Sequence, residues 1–91
     1  MTDRPTDAWF VYILRCADGS LYTGIAKDVS RRSQQHNAGT ASRYTRCRLP
    51  VKVVYQESQP TRSSALKREA AIKAMTRTAK LALIRMKKKA G

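Results

Sequence analysis

Two polar residues occupy the inner side of a predicted helix that follows Asp28. Arg32 and His36 lie three and seven positions beyond Val29, so helical spacing stacks these side chains on one face. Val29 is almost the only apolar residue of the segment, and its face should meet the sheet. A guanidinium and an imidazole there could bind phosphate and move a proton. Alternatively, the helix is mostly exposed, with Arg32 extending to solvent and His36 hydrogen-bonded to backbone.

A third polar residue, Glu69, interrupts the apolar stripe of a later helix. The inward stripe is predicted to comprise Ala65, Leu66, Ile72 and Met75, and Glu69 falls in its middle. A carboxylate in that position is costly unless it is paired with a cation or bound to a metal. We therefore expect either a salt bridge to a core-facing arginine or a site for one Mg²⁺ or Mn²⁺ ion. Mg²⁺ suits a lone carboxylate because it keeps several of its waters.

Two tyrosines complete this set of residues. Side-chain alternation along the first apolar run puts Phe10, Tyr12 and Leu14 on one face of a strand, and a hairpin brings Tyr22 close to them. A single tyrosine on a strand is most often a packing residue with its hydroxyl at the edge. Two tyrosines with an arginine, a histidine and a lone glutamate on one sheet face would instead form a phosphate site with a metal.

The elements that must position these residues are predicted in the order ββαβαα. Runs of aromatic and β-branched residues flank an Asp18-Gly19 turn, which is typical of an antiparallel hairpin. The predicted strands cover 8–15, 21–25 and 51–55, and the predicted helices cover about 29–38, 61–75 and 76–88. The fold class is α+β, with a small three-stranded mixed or antiparallel sheet flanked by helices. One domain is expected at 8–86, between a disordered tail at 1–7 and a basic tail at 87–91.

The charge of the chain points to a polyanionic partner. Nineteen lysines and arginines against six aspartates and glutamates leave a formal net charge of +13 in 91 residues. A protein this small with that charge repels itself unless it usually binds a polyanion, and nucleic acid is the leading candidate. The alternatives are a solvated basic tail or a helix on a membrane surface.

The apolar and cysteine content indicates where the protein works. The apolar stretch at 8–14 is too short for a signal peptide or a membrane span, and two cysteines are too few for a disulfide framework. We therefore expect a cytoplasmic protein with reduced thiols and no membrane partner. A monomer is favoured.

The same residues carry a resemblance to a known family. The tripeptides at 10–12 and 22–24, Phe-Val-Tyr and Tyr-Thr-Gly, resemble the paired tripeptides that name the GIY-YIG nucleases. The run at 22–32, followed by His36 and Asn37, resembles the segment that leads from the second tripeptide to the helix arginine of that superfamily. The run at 42–45, Ser-Arg-Tyr-Thr, resembles its short stand-alone bacterial branch.

The resemblance implies a role for each of the residues singled out above. Tyr12 and Tyr22 correspond to the motif tyrosines, Arg32 to the catalytic arginine, His36 to the residue one turn later and Glu69 to the metal-binding acid. The implied activity is a metal-dependent endonuclease that hydrolyses phosphodiester bonds in DNA, with single-stranded or structured DNA as the favoured substrate and DNA favoured over RNA. Tyr12, or His36 acting with it, would take the proton from water.

The resemblance extends from Trp9 to about Ile84 and has one departure. Gly24 matches the glycine of the second tripeptide, and its missing side chain would let backbone and phosphate approach closely. Many members of the family have an asparagine beyond the metal-binding acid, where this chain has apolar residues at 81–84. The alternative function is therefore a basic nucleic-acid-binding module whose nuclease site has decayed.

Binding of the nucleic acid is expected from the basic loop at 42–48 and from the basic C-terminal helix. Tyr44 would be available to stack on an unpaired base. The residues predicted to bind nucleic acid are Lys27, Arg31, Ser42, Arg43, Tyr44, Thr45 and Arg46.

Overall fold

A computed structural model describes residues 8–90 of the chain, and the side chains of these residues as far as Lys87. The strands are β1 Trp9–Arg15, β2 Leu21–Ala26 and β3 Lys52–Gln59, and the helices are α1 Val29–Asn37, α2 Arg43–Arg46, α3 Arg62–Lys73 and α4 Arg77–Ala90. The tail predicted at 1–7 lies outside the described residues. The basic tail predicted at 87–91 is helical as far as Ala90, because α4 continues into it.

The sheet is antiparallel throughout, with β1 in the centre and the strand order β2-β1-β3. The predicted turn joins β1 to β2. In this turn Gly19 has a φ of 86°, and the Asp18 carboxylate accepts the backbone N–H of Ser20 at 3.0 Å. A positive φ costs little at glycine because it lacks a Cβ. The α+β class and the order ββαβαα are confirmed, with one short helix added.

One face of the sheet packs against α3 and α4. Val11 and Ile13 of β1 point to this face because alternate residues of a strand point to opposite sides. They are buried in one cluster with Ala65, Ile72 and Ile84. This cluster fixes α3 and α4 to the sheet.

The opposite face of the sheet packs against α1. Tyr12 and Leu14 are buried on this side in a second cluster with Ala26, Val29 and Val51. Helices therefore cover both faces, and α1 and α3 approach the sheet from opposite sides. No helix within residues 8–90 is long and apolar enough to cross a membrane.

Two elements differ from the sequence prediction. The short helix α2 lies in a stretch predicted as loop, and the Ser42 hydroxyl caps it by accepting the Tyr44 N–H at 3.1 Å. The third strand was predicted to end at Tyr55 but continues to Gln59. Residues 56–59 are polar, which concealed the strand, but their backbone pairs with the first half of β1.

The inward stripe of α3 was predicted correctly except at one position. Ile72 is fully buried and Met75 packs against the same cluster, whereas Leu66 is 38% exposed. Ala65 is buried in its place. Neighbouring residues on a helix point in directions about 100° apart, so only one of the two can face the sheet. The small alanine lets α3 pack close to the strands.

Replacing Ile72 with alanine is expected to lower the free energy of unfolding by about 2–5 kcal/mol, because a fully buried side chain leaves a cavity. The matched control is Leu66→Ala, which deletes an aliphatic side chain of the same size from an exposed position and should cost about 0.5 kcal/mol or less. Equilibrium denaturation measures both. A larger loss from Leu66→Ala than from Ile72→Ala would contradict the orientation of α3.

Candidate active site

Tyr12 lies directly over Gly24 in the neighbouring strand. The two residues are paired across β1 and β2. A Cβ built on Gly24 would lie 2.6 Å from the Tyr12 hydroxyl oxygen and 2.8 Å from Cζ, which is too close for a real contact. The sequence interpretation reserved this space for a phosphate. The structure fills it with the Tyr12 phenol, so Gly24 is needed to seat the tyrosine ring.

His36 meets Tyr12 from α1. The Asp28 carboxylate caps this helix by accepting the Arg31 N–H at 3.0 Å, and Val29 anchors its first turn in the core. Two turns later His36 is buried against the sheet, with Nε2 3.0 Å from the Tyr12 hydroxyl. The expected inner face of α1 is therefore confirmed. The alternative, an imidazole bonded to backbone, is wrong because its partners are side chains.

Tyr22 packs beside the imidazole rather than bonding to it. Its ring centroid lies 5.2 Å from that of His36 with the rings at 63°, an edge-to-face contact. Tyr22 is paired with Leu14 across the hairpin, which puts it on the same face as Tyr12. The two tyrosines thus flank His36, as the side-chain alternation predicted.

The second imidazole nitrogen is held by Thr45 of α2. His36 Nδ1 lies 2.8 Å from Thr45 Oγ1, and that hydroxyl lies 3.3 Å from the Ser42 carbonyl oxygen. Thr45 is 0% exposed. The predicted contact between Thr45 and nucleic acid is therefore not made in this conformation, because the hydroxyl faces His36. It belongs to the hydrogen-bonded chain that starts at Tyr12.

Burial shifts the pKa values of the tyrosine and the histidine in opposite directions. Desolvation lowers the pKa of His36, and the Arg32 guanidinium lowers it further. Desolvation raises the pKa of Tyr12, and the nearby Tyr22 and Glu69 raise it too, against the opposing effect of Arg32. At neutral pH the pair is therefore a protonated phenol facing a neutral imidazole.

Arg32 lies half-buried on α1, close enough for its charge to act on both Tyr12 and His36. Its Nη1 donates to the Gln35 side-chain oxygen at 3.2 Å. The salt bridges formed within residues 8–87 do not involve it. The guanidinium is thus held beside the tyrosine and histidine with no carboxylate neutralising it, which leaves it suited to bind an anion.

Glu69 lies on α3, on the other side of the sheet from α1. Its side chain is 18% exposed and pairs with Lys73 one turn along α3, at 3.4 Å. The expected alternative, a salt bridge with a core-facing arginine, is therefore wrong in its partner. We also expected all five residues on one sheet face, but α3 packs on the face opposite Tyr12. Glu69 still acts on Tyr12 through its charge.

The donor atoms near Glu69 fit one kind of metal better than another. Within residues 8–87 no group of three or more His, Cys, Asp or Glu side chains is arranged to hold an ion. A structural zinc site with four protein ligands does not fit such a donor set. A single carboxylate does fit Mg²⁺, which keeps most of its waters and takes further oxygen ligands from substrate phosphates.

Tyr44 is exposed on α2, but its ring is not free. It is 39% exposed, stacks on Tyr22 with centroids 5.9 Å apart, and has the Arg48 guanidinium 3.9 Å from its centroid. Arg48 is held in turn by Asp18 at 3.0 Å. Stacking on a nucleic-acid base, as predicted for Tyr44, would therefore compete with an aromatic and a cationic neighbour.

The other predicted binding residues are distributed over two places. Arg43 and Arg46 are exposed on α2, close to Tyr44. Arg31 is exposed on the first turn of α1, and Lys27 lies with its Nζ 5.5 Å from the centroid of the Trp9 ring. Ser42, predicted as a contact, is the cap of α2. Along the chain, Lys27 and Arg31 precede His36, and Arg43 and Arg46 follow it.

A polar network that the sequence interpretation missed fixes α3 to β3. Arg68 Nε donates to both carboxylate oxygens of Glu57 at 3.1 Å, and Gln59 Nε2 donates to Glu57 at 2.6 Å. The Tyr55 hydroxyl donates to the same carboxylate. These donors lower the pKa of Glu57 although burial alone would raise it. Arg68 precedes Glu69, so the network also fixes the rotation of α3 at the acid.

Comparison with known proteins identifies this arrangement. The family model of the GIY-YIG catalytic domain matches residues 8–82. A UPF0213 protein from Staphylococcus aureus strain Mu3 is 57% identical over 79 residues, covering 87% of this chain and 96% of that relative. The match to the catalytic domain includes every residue of the candidate site.

Two solved structures share the fold. The solution NMR structure of a UPF0213 protein from Bacillus halodurans has a TM-score of 0.58 and 39% sequence identity, covering 88% of this chain and 85% of that one. The solution NMR structure of a protein from E. faecalis has a TM-score of 0.59 and 37% identity, covering 89% and 88%. By the domain model and by these relatives, the chain belongs to the GIY-YIG nuclease family.

Proposed function

We propose that this protein is a divalent-metal-dependent endonuclease that hydrolyses phosphodiester bonds in DNA. The observation that carries the proposal is the buried hydrogen bond between Tyr12 and His36, beside an arginine without a carboxylate partner and within range of the Glu69 charge. Phosphodiester hydrolysis needs a proton acceptor for water, cationic groups for the charge on phosphate, and help for the leaving oxygen. The family assignment supports the same class of reaction.

Tyr12 and His36 act together as the proton acceptor. The Tyr12 phenol is a poor base by itself because burial raises its pKa and keeps it protonated. The neutral His36 imidazole, 3.0 Å away, accepts the phenolic proton at Nε2. The phenolate oxygen then takes a proton from the water whose oxygen bonds to phosphorus, as the bond from phosphorus to the leaving oxygen breaks. The leaving oxygen is reprotonated from solvent.

Arg32 and Tyr22 hold the phosphate and the water. The planar guanidinium of Arg32 can donate to two phosphate oxygens at once, and it already lies in range of Tyr12 and His36. Its positive charge favours the phenolate and disfavours the imidazolium, so its two effects on the proton transfer oppose each other. Tyr22, in contact with the imidazole, positions water or phosphate beside it.

Glu69 would hold one Mg²⁺ or Mn²⁺ ion. A bound ion of this kind supplies Lewis acidity at the phosphate and stabilises the leaving oxygen. The Lys73 ammonium, which is exposed, now neutralises the carboxylate and would be displaced. Arg68, on the preceding position of α3, keeps the carboxylate oriented through its own bonds to Glu57.

The exposed cations would bind the backbone of the nucleic acid. A formal charge of +13 provides long-range attraction to any polyanion, and Arg31, Arg43 and Arg46 are exposed near the candidate site. The long helices α3 and α4 pack against the sheet with their apolar sides, and α2 is too short to serve as a recognition helix. We therefore favour recognition of backbone and strand structure, with single-stranded or structured DNA preferred over RNA.

A non-catalytic nucleic-acid-binding module is the second candidate. It is favoured by one observation: the segment at 81–84, where many relatives have an asparagine, contributes Leu83 and Ile84 to the core. This part of α4 stabilises the fold and offers no amide to the site. A module that only binds would retain affinity for nucleic acid and show no cleavage with any divalent ion.

Cleavage should depend on the Glu69 carboxylate. With labelled circular single-stranded DNA, linear duplex DNA and RNA, we expect cleavage with Mg²⁺ or Mn²⁺ and none with EDTA. Glu69→Gln should abolish it while binding stays equal or becomes stronger, because a negative charge leaves the phosphate site. The matched control is Asp18→Asn, which makes the same change at an exposed carboxylate of the hairpin. Undiminished cleavage by Glu69→Gln would remove Glu69 as the metal ligand.

Arg32→Lys should lose most of the cleavage rate but little affinity. The ammonium keeps the charge but cannot donate to two phosphate oxygens in a fixed plane. Loss of one preorganised donor typically costs about 100- to 1,000-fold in rate, or about 3–4 kcal/mol. Arg31→Lys, at the neighbouring exposed position, is the control and should change neither quantity. The measurements are single-turnover cleavage and equilibrium binding. Near wild-type cleavage by Arg32→Lys would contradict the catalytic role of Arg32.

The neutral state of His36 predicts how stability depends on pH. Because its pKa in the folded protein is below the ordinary value of 6.5, the unfolded chain binds a proton at a pH where the folded chain does not. The contribution of His36 to the free energy of unfolding should therefore fall as pH falls from just above 6.5 to the folded-state pKa, and this contribution should not change further below it. His36 is the only histidine, so His36→Gln should abolish this slope. A slope that persists in the variant would assign it to another group.

A further inference from the structure

We infer that Thr45 is a positioning residue that fixes the tautomer of His36, so that the imidazole carries its proton on Nδ1 and presents a bare Nε2 to Tyr12. This role differs from contact with nucleic acid, and it rests on the proposed function only where cleavage is the readout. The geometry that supports it is a chain of three hydrogen bonds with one direction.

The direction of the chain is set at its far end by a carbonyl. The Ser42 carbonyl oxygen can only accept, so the single hydroxyl proton of Thr45, 3.3 Å away, points towards it. Thr45 Oγ1 then has only lone pairs for His36 Nδ1 at 2.8 Å, and Nδ1 must donate. A neutral imidazole has one N–H, so Nε2 accepts the proton of the Tyr12 hydroxyl at 3.0 Å.

The opposite tautomer leaves a buried group without a partner. If Nε2 carried the proton and donated to Tyr12, the phenolic O–H would have to find another acceptor. Within residues 8–87, the Tyr12 hydroxyl has no hydrogen-bond partner except His36, and Tyr12 is only 2% exposed. Burying an unsatisfied hydroxyl is expensive, so the tautomer with Nδ1–H is the stable one.

The groups around His36 also favour a neutral imidazole, whose Nε2 is free to accept. Tyr12 and Tyr22 face it from the sheet, Arg32 faces it from its own helix, and Thr45 faces it from α2. Burial lowers the pKa of His36, and the Arg32 guanidinium lowers it further. The Thr45 hydroxyl on the far side therefore acts together with the Tyr12 hydroxyl to determine which nitrogen accepts.

The location of Thr45 explains why a small helix is built at this place. α2 carries Arg43, Tyr44 and Arg46 on its exposed side and Thr45 on its buried side. The Ser42 side chain caps the helix while the Ser42 carbonyl orients the threonine. One turn of helix therefore joins a cationic surface to the proton acceptor.

The test uses heteronuclear NMR of the imidazole nitrogens in the full chain at neutral pH. The single histidine makes the signals unambiguous. We expect wild type to show Nδ1 protonated and Nε2 bare. Thr45→Val, which keeps the shape but removes the hydroxyl, should weaken this preference, because Nδ1–H then has no acceptor and only the Tyr12 hydroxyl still favours it. Thr45→Ser should retain it. Cleavage by Thr45→Val should fall about 10- to 100-fold, as for other partners that orient a functional histidine, with Thr45→Ser close to wild type.

Each outcome decides one of the two proposals. Nε2 protonated in wild type, or Nδ1 protonated to the same extent in Thr45→Val as in wild type, would overturn the inference. Undiminished cleavage by Thr45→Val with its tautomer preference weakened would overturn the positioning role. The expected tautomers without cleavage of any nucleic acid by wild type would support Thr45 and contradict the nuclease proposal. If Thr45→Val does not fold, the wild-type and Thr45→Ser spectra still decide, since both must show Nδ1 protonated.

Discussion

The hydrogen bond between the Tyr12 phenol and the His36 imidazole joins the centre of the sheet to α1, and the surrounding structure is arranged around it. Both groups are buried, so each needs the other to avoid the cost of an unpaired polar atom. The phenol fits only because Gly24 opposite it has no side chain. Val29 anchors α1 in the core, which brings the imidazole next to the phenol. The other imidazole nitrogen is hydrogen-bonded to Thr45.

The described carboxylates differ in how strongly they are held by structural hydrogen bonds and salt bridges. Asp28 caps α1, Asp18 stabilises the hairpin turn and bonds to an arginine, and Glu57 is enclosed by three side-chain donors. Within residues 8–87, Glu69 is paired only with Lys73, an exposed side chain on the same helix. Helix pairs of this spacing contribute only about 0.2–0.5 kcal/mol. Glu69 is therefore the described carboxylate most easily released from its partner to bind a cation.

The buried face of a helix could be predicted from the sequence only where the spacing of apolar residues marked a single face. On α1 a single apolar residue, Val29, marked the inner face, and His36 was predicted there correctly. On α3 two neighbours, Ala65 and Leu66, could both belong to the stripe, and only the packing of α3 against the sheet selects the smaller one. A four-residue helix has no periodicity, so the buried side of α2 at Thr45 left no signal in the sequence.

The sequence also did not show on which side of the sheet each helix packs. Helical periodicity gave the inward faces of α1 and α3 but not their placement on opposite sides of the sheet, so Glu69 was expected on the face of Tyr12. The length of β3 was missed for a related reason, because Glu57 and Gln59 are polar although they point towards α3. A strand whose inward residues form a hydrogen-bonded network with an arginine has no apolar alternation to reveal it.

The buried chain from Tyr12 through His36 to Thr45 also bears on the choice between enzyme and binding module. Replacing a buried polar network with apolar residues of similar shape is often neutral or stabilising, so stability alone gives little reason to keep one. A binding surface needs exposed cations, and these lie on α1 and α2 outside the buried chain. The segment at 81–84 differs from this buried chain because it packs Ile84 into the core and provides no polar side chain. Polar atoms are thus buried where the proposed reaction moves a proton and absent where only packing is needed.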